Sequence, residues 1–335
     1  MLGPHRRGLL QLGAVLALTA SRARGAQPPP AATPRPAVPD SAILLMPGPE
    51  GSPAARWAET LAAGLLRGLP HAVSLRATAL GGPDGITAAN RFATLEAGNG
   101  RTLLVLPGVA AHLRLVGESR AQFTPDGWLP ICVSWQGAVL AGKGSWPRPR
   151  TAMLRLALPA PEAPETAALL ALDLMGVEAQ PVFATALQPP EDLVARGHAD
   201  ALVIGAPAPL RVADALGLSP WLELETPGRR DHPQLPSTAA VPGAAARLEA
   251  MQAGFAALRL RAALMLPELT PADTVAAWRH AALRWQEEEA RQSTEPAAAL
   301  VGAEARATIA PLFPPPPAML AYREWLLRRL SWQPA

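Results

Sequence analysis

Two glycine-containing loops carry the residues best suited to bind an anion. Gly48, Gly51 and Ser52 follow a short apolar stretch and precede a predicted helix. Gly81 and Gly82 open a second loop of the same kind. Main-chain N–H groups at the start of a helix can hold a carboxylate without any arginine. We therefore predict that these five residues bind a small organic acid. A plain strand-to-helix turn is the alternative for the first loop.

A third candidate contact is the pair Pro107 and Gly108, which ends another apolar stretch. Ligands of open parallel sheets bind beyond the carboxyl ends of the strands, so this pair should border the same site. No Gly-Lys-Ser/Thr sequence follows the Gly81 loop, which argues against nucleotide binding.

The sequence offers little to an enzyme. It contains no G-x-S-x-G nucleophile elbow and no H-E-x-x-H metal motif. Cys132 is the single cysteine, and its apolar neighbours are typical of a buried residue. We predict no catalytic activity, no metal and no cofactor, with an exported hydrolase as the alternative. The histidines that follow the N-terminal segment are scattered: His71, His112, His198, His232 and His280.

The N-terminal 26 residues resemble an export signal. Arg6-Arg7 precede the apolar run Gly8–Ala20, and small residues follow at Gly25-Ala26. A run of about 13 residues is shorter than the roughly 20 needed to span a bilayer as a helix. We predict that residues 1–26 are a signal peptide and that the mature protein is periplasmic. The paired arginines also resemble a twin-arginine signal, and Sec and twin-arginine export both stay open. An uncleaved membrane anchor is the other alternative.

Charge excludes a general nucleic-acid surface. The whole sequence has a formal net charge of +3 with histidine counted as neutral. The signal contains four arginines and no Lys, Asp or Glu, so the remainder carries −1. A mature chain near neutrality lacks the general basic surface that binds nucleic acids or anionic membranes.

Short strand and helix patterns then alternate along the chain. Residues 27–40 are rich in proline and should form an extended leader. Alternation of this kind predicts parallel strands with crossover helices. From about residue 245 the pattern becomes helical, with tryptophans and leucines at core spacing. The predicted strands cover 42–46, 73–77, 102–106, 129–135, 138–141, 153–158, 181–184, 201–204 and 222–224, and the predicted helices include 86–97, 162–174 and 190–196.

The order of these motifs resembles the Bug receptors, the solute-binding proteins of tripartite tricarboxylate transporters. The family's opening strand, Pro-Gly-Gly loop and Ala-Arg helix correspond to Met46–Ser52 and Ala55-Arg56. The most specific match is Arg230–Thr238, which resembles the run that closes the family's second domain. Weaker matches are Gly81–Gly85, Asn99–Leu104, Asp126–Ile131, Met175–Glu178, Gly197–Asp200 and Leu269–Pro271.

The resemblance implies a two-lobed α/β receptor of the periplasmic-binding-protein type, with parallel-rich sheets. The first lobe would comprise 41–145 and the second 146–245, and a mainly helical segment 246–335 would return to pack on the first lobe. Such a protein, expected to be a monomer, would close on a small carboxylate and deliver it to the membrane subunits of a transporter.

Two departures from the family concern the predicted site. Pro49 replaces the second glycine of the first loop. The family's hydroxyl-rich loop of the second lobe is replaced by Pro159, Pro161 and Glu162, where the prolines lack N–H donors and the acid repels anions. We predict that Pro161 and Glu162 face the ligand. A degenerate receptor, which binds a neutral or cationic molecule or acts as a sensor partner, is therefore an alternative.

Overall fold

The computed structural model describes residues 38–94, 100–146, 153–238, 241–292 and 298–334. The predicted signal peptide, most of the proline-rich leader, Asn99 and residues 147–150 lie outside these ranges.

Strands and helices alternate in the first part of the chain, as the sequence predicts. Ser52 caps α1 through a hydrogen bond from Ala55 N to its hydroxyl (3.2 Å), and Pro53 takes the first helical position. The elements are β1 (Ser41–Pro47), α1 (Pro53–Gly68), β2 (Ser74–Leu80), α2 (Ile86–Ala93), β3 (Thr102–Leu106), α3 (Gly108–Val116) and β4 (Leu129–Trp135).

The middle of the chain continues in the same manner. A 3-10 helix at Pro164–Thr166 leads into α4, so the helix predicted from residue 162 begins later, because prolines interrupt the main-chain donors there. The elements are β5 (Gly137–Gly142), β6 (Leu154–Leu158), α4 (Ala167–Leu174), β7 (Ala179–Phe183), α5 (Pro190–Ala195), β8 (Ala201–Ala206), α6 (Pro209–Ala215) and β9 (Ser219–Glu223).

The C-terminal part contains strands that the sequence patterns did not predict. The elements are α7 (Ala245–Arg259), β10 (Leu260–Leu266), α8 (Ala272–Gln292), β11 (Ala298–Val301), α9 (Gly302–Ile309), a 3-10 helix (Ala310–Leu312) and α10 (Pro316–Leu330). The sequence patterns predict a mainly helical ending and miss β10, whose largely apolar sequence fits a buried strand and a buried helix equally well.

The strands form two sheets. The first has the order β11-β4-β10-β3-β1-β2, and the second has the order β7-β6-β8-β5-β9. In the first sheet β1 runs parallel to β2 and β3, while β10 is antiparallel to both β3 and β4. In the second sheet β6 runs parallel to β7 and β8, while β5 is antiparallel to β8 and β9.

Helices cover both faces of each sheet. On the first sheet α1 and α8 share one core, in which Trp278 and Trp285 are buried as predicted from their spacing, and α2, α3 and α9 pack on the opposite face. On the second sheet, α4, α7 and α10 cover one face and α5 and α6 the other. The helix α10 thus contacts the core of the second sheet, where its residues Ala318, Tyr322, Trp325 and Leu326 are buried.

The lobe boundaries after residues 145 and 245 remain predictions. The chain crosses from the first sheet to the second at Gln136, between β4 and β5. It crosses back to the first sheet at Arg259, just before β10.

Candidate functional site at the junction of the two sheets

The carboxyl ends of the parallel strands in both sheets face the junction between them. Leu260, the first residue of β10, pairs with Trp135, the last of β4, so the chain enters and leaves the first sheet at one edge. Gly137, the first residue of β5, pairs with Ala206, the last of β8. Because β1 to β3 run parallel to β4, and β6 and β7 parallel to β8, their carboxyl ends lie on this side as well. Open α/β sheets bind ligands at such edges.

Three loops of the first lobe come into contact at this edge. They comprise residues 47–52, 81–85 and 107–108, and we call them the first-lobe loops. A Cβ at Gly48 would collide with the carbonyl oxygen of Gly81, and one at Gly85 would lie 2.6 Å from the Pro107 ring. The structure therefore brings together the glycines and the proline predicted from three separate stretches of sequence.

The loop after β1 is open toward solvent at its tip. Gly51 has a φ of 80°, and no atom lies within 4 Å of the position that a Cβ would take there. The Ser52 hydroxyl accepts the helix-capping hydrogen bond and can still donate its own proton. Arg56 Nη1 donates to the carbonyl oxygen of Gly51, which ties α1 to the loop. The peptide bond Gly48–Pro49 is cis.

The loop after β2 lies beside an arginine that is already paired with carboxylates. Asp84 Oδ1 accepts a hydrogen bond from Ile86 N (3.1 Å) at the start of α2. Arg120 Nη1 lies 3.2 Å from Asp84 Oδ2, and its Nε lies 3.0 Å from Glu118. Since Arg120 has two carboxylate partners, its charge is not available to an anion at Gly81 and Gly82.

Pro107 and Gly108 are buried beneath the junction. A Cβ at Gly108 would lie 2.5 Å from the carbonyl oxygen of Leu260 and would also collide with that of Ala257. The main chain at the start of α3 thus packs directly on the crossing from α7 to β10. Close packing alone is enough to require a glycine at position 108. Contact between Gly108 and a ligand remains a prediction.

The predicted contacts of the second lobe lie in a tight turn after β6. Ala163 N donates to Ala160 O (3.2 Å), and the Thr166 hydroxyl donates to the same oxygen (2.9 Å). Pro161 and Glu162 are half-buried within this turn. Among the described residues, none forms an ion pair with Glu162. The structure places these two residues at the junction edge, and their role in binding remains a prediction.

A partly buried group of charges at the junction was not predicted from the sequence. The junction cluster consists of Glu223, Glu225, Arg229, Arg230, Asp231 and Arg259. Arg259 is fully buried, it donates to Asp231, and its Nη1 lies 3.9 Å from Glu223 Oε1. Burial lowers the pKa of Arg259, and the attraction of Asp231 and Glu223 opposes that change. The guanidinium also lies 5.2 Å from the centroid of the Trp135 ring.

The cluster joins elements of both lobes. Glu223 ends β9 and accepts hydrogen bonds from the main-chain N–H groups of Asp231 (2.6 Å) and His232 (3.1 Å). Arg229 pairs with Glu304 of α9 at 2.7 Å. The side chain of Gln136 donates a hydrogen bond to Leu258 O (2.9 Å), which links the two segments where the chain passes between the sheets. One sequence signal for this cluster existed: Arg230–Thr238 is the most specific match to the receptor family.

His112 of α3 is a second buried polar group near the junction. Burial lowers its pKa to about 3, although the main chain of Ala163 acts in the opposite direction. Neither ring nitrogen has a hydrogen-bond partner of good geometry among the described residues. The ring lies edge-on to Tyr322 at 5.8 Å.

The described residues contain no group of three or more His, Cys, Asp or Glu side chains arranged to hold a metal ion. They also include no helix with the length and apolar character needed to span a bilayer.

Several solved structures are similar to this chain. A TctC solute-binding protein from Polaromonas aligns over 86% of this chain and 98% of its own, with 15% identity and a TM-score of 0.62. MatC from Rhodopseudomonas palustris, with bound malate, aligns over 87% and 98%, with 18% identity and a TM-score of 0.48. The R. palustris protein Rpa4515, with adipate, aligns over 89% and 99%, with 20% identity and a TM-score of 0.49.

The Polaromonas comparison confirms the α/β class predicted from the sequence patterns and the two-lobed fold that the family resemblance implied. No family model and no curated protein matches the sequence.

Proposed function

We propose that this chain is an exported solute receptor of the Bug type and not an enzyme. It captures a small organic acid between its two lobes and delivers the acid to the membrane subunits of a tripartite tricarboxylate-type transporter. The paired arginines of the signal leave the twin-arginine route as one way of reaching the periplasm.

The observation that carries this proposal is the convergence at the junction. The first-lobe loops and the turn after β6 both lie at carboxyl strand ends, on opposite sides of the crossings at Gln136 and Arg259. The shared fold of the Polaromonas solute-binding protein supports the same interpretation.

Capture follows from the placement of donors on separate lobes. The main chain of the first-lobe loops and the Ser52 hydroxyl supply hydrogen-bond donors, and the turn after β6 supplies the opposite wall. A ligand that contacts both walls binds the closed arrangement better than the open one. It therefore shifts the population toward closure by the difference between the two affinities.

One observation favours a second candidate. Pro159 and Pro161 lack N–H donors, and Glu162 has no ion-pair partner among the described residues. A receptor with such a wall suits a neutral or cationic ligand better than a dicarboxylate, and it can also serve a sensor.

Thermal unfolding of the mature protein, against a panel of mono-, di- and tricarboxylates, amino acids and polyamines, separates these candidates. A ligand at about 100 times its Kd stabilises the folded state by about 2.7 kcal/mol. Stabilisation by one class of acid supports the carboxylate receptor. Stabilisation by polyamines or neutral compounds alone supports the second candidate.

A matched pair of variants at Ser52 then tests the site itself. Asn and Asp are both good N-caps, so Ser52→Asn and Ser52→Asp should retain α1 equally well. Only Ser52→Asp adds a negative charge, and we expect it to weaken binding of an acid roughly tenfold relative to Ser52→Asn. Equal affinities of the two variants would place the acid elsewhere.

A further inference from the structure

A pocket on the first lobe lies outside the predicted interlobe site. Its volume is about 230 Å³, and it contains none of the residues predicted to bind the transported solute. The walls are formed by one face of α1, the C-terminal half of α8 and the start of β10. The side chains that matter chemically are Arg56, Trp57, Thr60, Arg261, Trp285 and Glu289.

The pocket presents a guanidinium whose donors lack protein acceptors. Within the described part of the chain, no side chain or carbonyl accepts a hydrogen bond from the half-buried guanidinium of Arg261. The indole Nε1 atoms of Trp57 and Trp285 also lack partners among the described residues, but solvent does not reach them, and the Nε1 edge of Trp285 packs against Gly64 of α1. The tryptophans therefore contribute apolar walls to the pocket, and Arg261 contributes its unpaired donors.

The charges of the pocket favour an anion. Arg56 and Arg261 contribute two positive charges, and Glu289 is the acid among the residues lining the pocket. Arg56 uses Nη1 to bond Gly51 O and retains its other N–H groups. A guanidinium presents a planar set of donors that matches a carboxylate.

The aromatic side chains of the pocket narrow the chemical class of the ligand further. Two indoles line a pocket that leaves room for about one substituted ring, and flat aromatic ligands pack well against such walls. We propose that this pocket is a second ligand site, specific for a small aromatic carboxylate. The ring would lie against Trp57 and Trp285, and the carboxylate would accept hydrogen bonds from Arg261 and Arg56. This proposal does not depend on the function proposed above.

Benzoate is the probe, with benzamide as its uncharged analogue and acetate as the carboxylate without a ring. Isothermal titration of the mature protein should show saturable binding of benzoate and at least tenfold weaker binding of both analogues. Absence of saturable benzoate binding, or equal affinity for benzamide, overturns the proposal.

Matched variants locate the probe in this pocket. Arg261→Gln should weaken benzoate binding at least tenfold, whereas Arg76→Gln, which removes an exposed arginine on β2, should leave it unchanged. Equal effects of these two variants contradict the proposal.

Glu289→Gln provides a test that a folding defect cannot imitate. Removing the acid that lines the pocket should tighten benzoate binding several-fold, and weaker or unchanged binding argues against the site. Glu162→Lys, which changes the charge of the second-lobe wall and is not among the residues lining this pocket, should leave benzoate affinity as it is, so a failure of either site can be recognised separately.

Discussion

The first-lobe loops and the junction cluster lie at the same edge of the first sheet, but different kinds of contact hold them together. In the loops, main chains approach each other at glycines such as Gly48 and Gly108, where no side chain fits. In the cluster, the buried side chain of Arg259 is surrounded by Asp231 and Glu223. The comparison teaches that the candidate ligand surface depends on backbone shape, whereas the connection between the lobes depends on buried charge.

The largest effect is expected at Arg259. Arg259→Met leaves Glu223 and Asp231 without their buried partner, and breaking such a group typically costs about 3–5 kcal/mol. Urea denaturation should show this loss of unfolding free energy, with a smaller loss for Arg259→Lys, which keeps the charge. A loss below about 1 kcal/mol for Arg259→Met would show that the junction does not rely on this charge.

The next effect concerns pH and His112. Its pKa is depressed to about 3 in the folded state, against 6.5 for an ordinary histidine, so the unfolded chain binds a proton first as the pH falls. Stability contributed by the neutral ring is therefore fully present above pH 6.5 and is lost as the pH falls toward 3. From the linkage relation, the loss at pH 4 is about 3 kcal/mol.

Denaturation of the protein and of a His112→Leu variant between pH 4 and 8 measures this contribution by difference. Burial raises the pKa of Glu165 nearby, which acts in the opposite direction below neutral pH, and the subtraction removes its effect. Parallel pH curves for the two proteins would mean that His112 is not the titrating group.

A smaller effect is expected at the glycines of the loops. Gly108→Ala forces a Cβ against the carbonyl oxygens of Leu260 and Ala257, and overpacking of this kind costs about 1–3 kcal/mol. Gly82→Ala is the matched control, since the nearest atom to its Cβ would be Asp84 Oδ1 at 3.8 Å. If both variants unfold at the same urea concentration, close packing does not hold these loops.

The smallest effect is expected at the helix cap. Ser52→Ala removes the acceptor of the Ala55 N–H, and loss of such a cap costs about 1 kcal/mol. Ser52→Asn should restore most of the stability in the same denaturation experiment. If Ser52→Asn does not restore stability, the loss in Ser52→Ala arises from a change in the loop and not from loss of the helix cap.

Much of the fold follows from local sequence. Ser52 and Pro53 begin α1 as a cap and a first helical residue, and the apolar runs at 102–106 and 129–135 form strands at the predicted positions. The loops after β1, β2 and β3 were recognised as candidates because strand ends and glycines are local signals. Their mutual contact was an expectation that required the sheet order.

The strands β10 and β11 show where local patterns fail. Residues 260–266 are apolar except for Arg261, so neither the period of a strand nor that of a helix can be recognised in them. Their conformation is decided by pairing with β3 and β4, strands more than 100 residues earlier in the chain. The same pairing places Arg259 at the junction edge, which no spacing in the sequence predicts.

The sequence by itself determined the alternating α/β class, the starts of several helices and the glycine-containing turns, because those features depend on residues within a few positions of one another. The tertiary structure alone decided which strands share a sheet, which glycine is buried by close packing and which charges lose their water. Those properties depend on contacts between distant segments, as Gly108 with Leu260 and Arg259 with Asp231 illustrate.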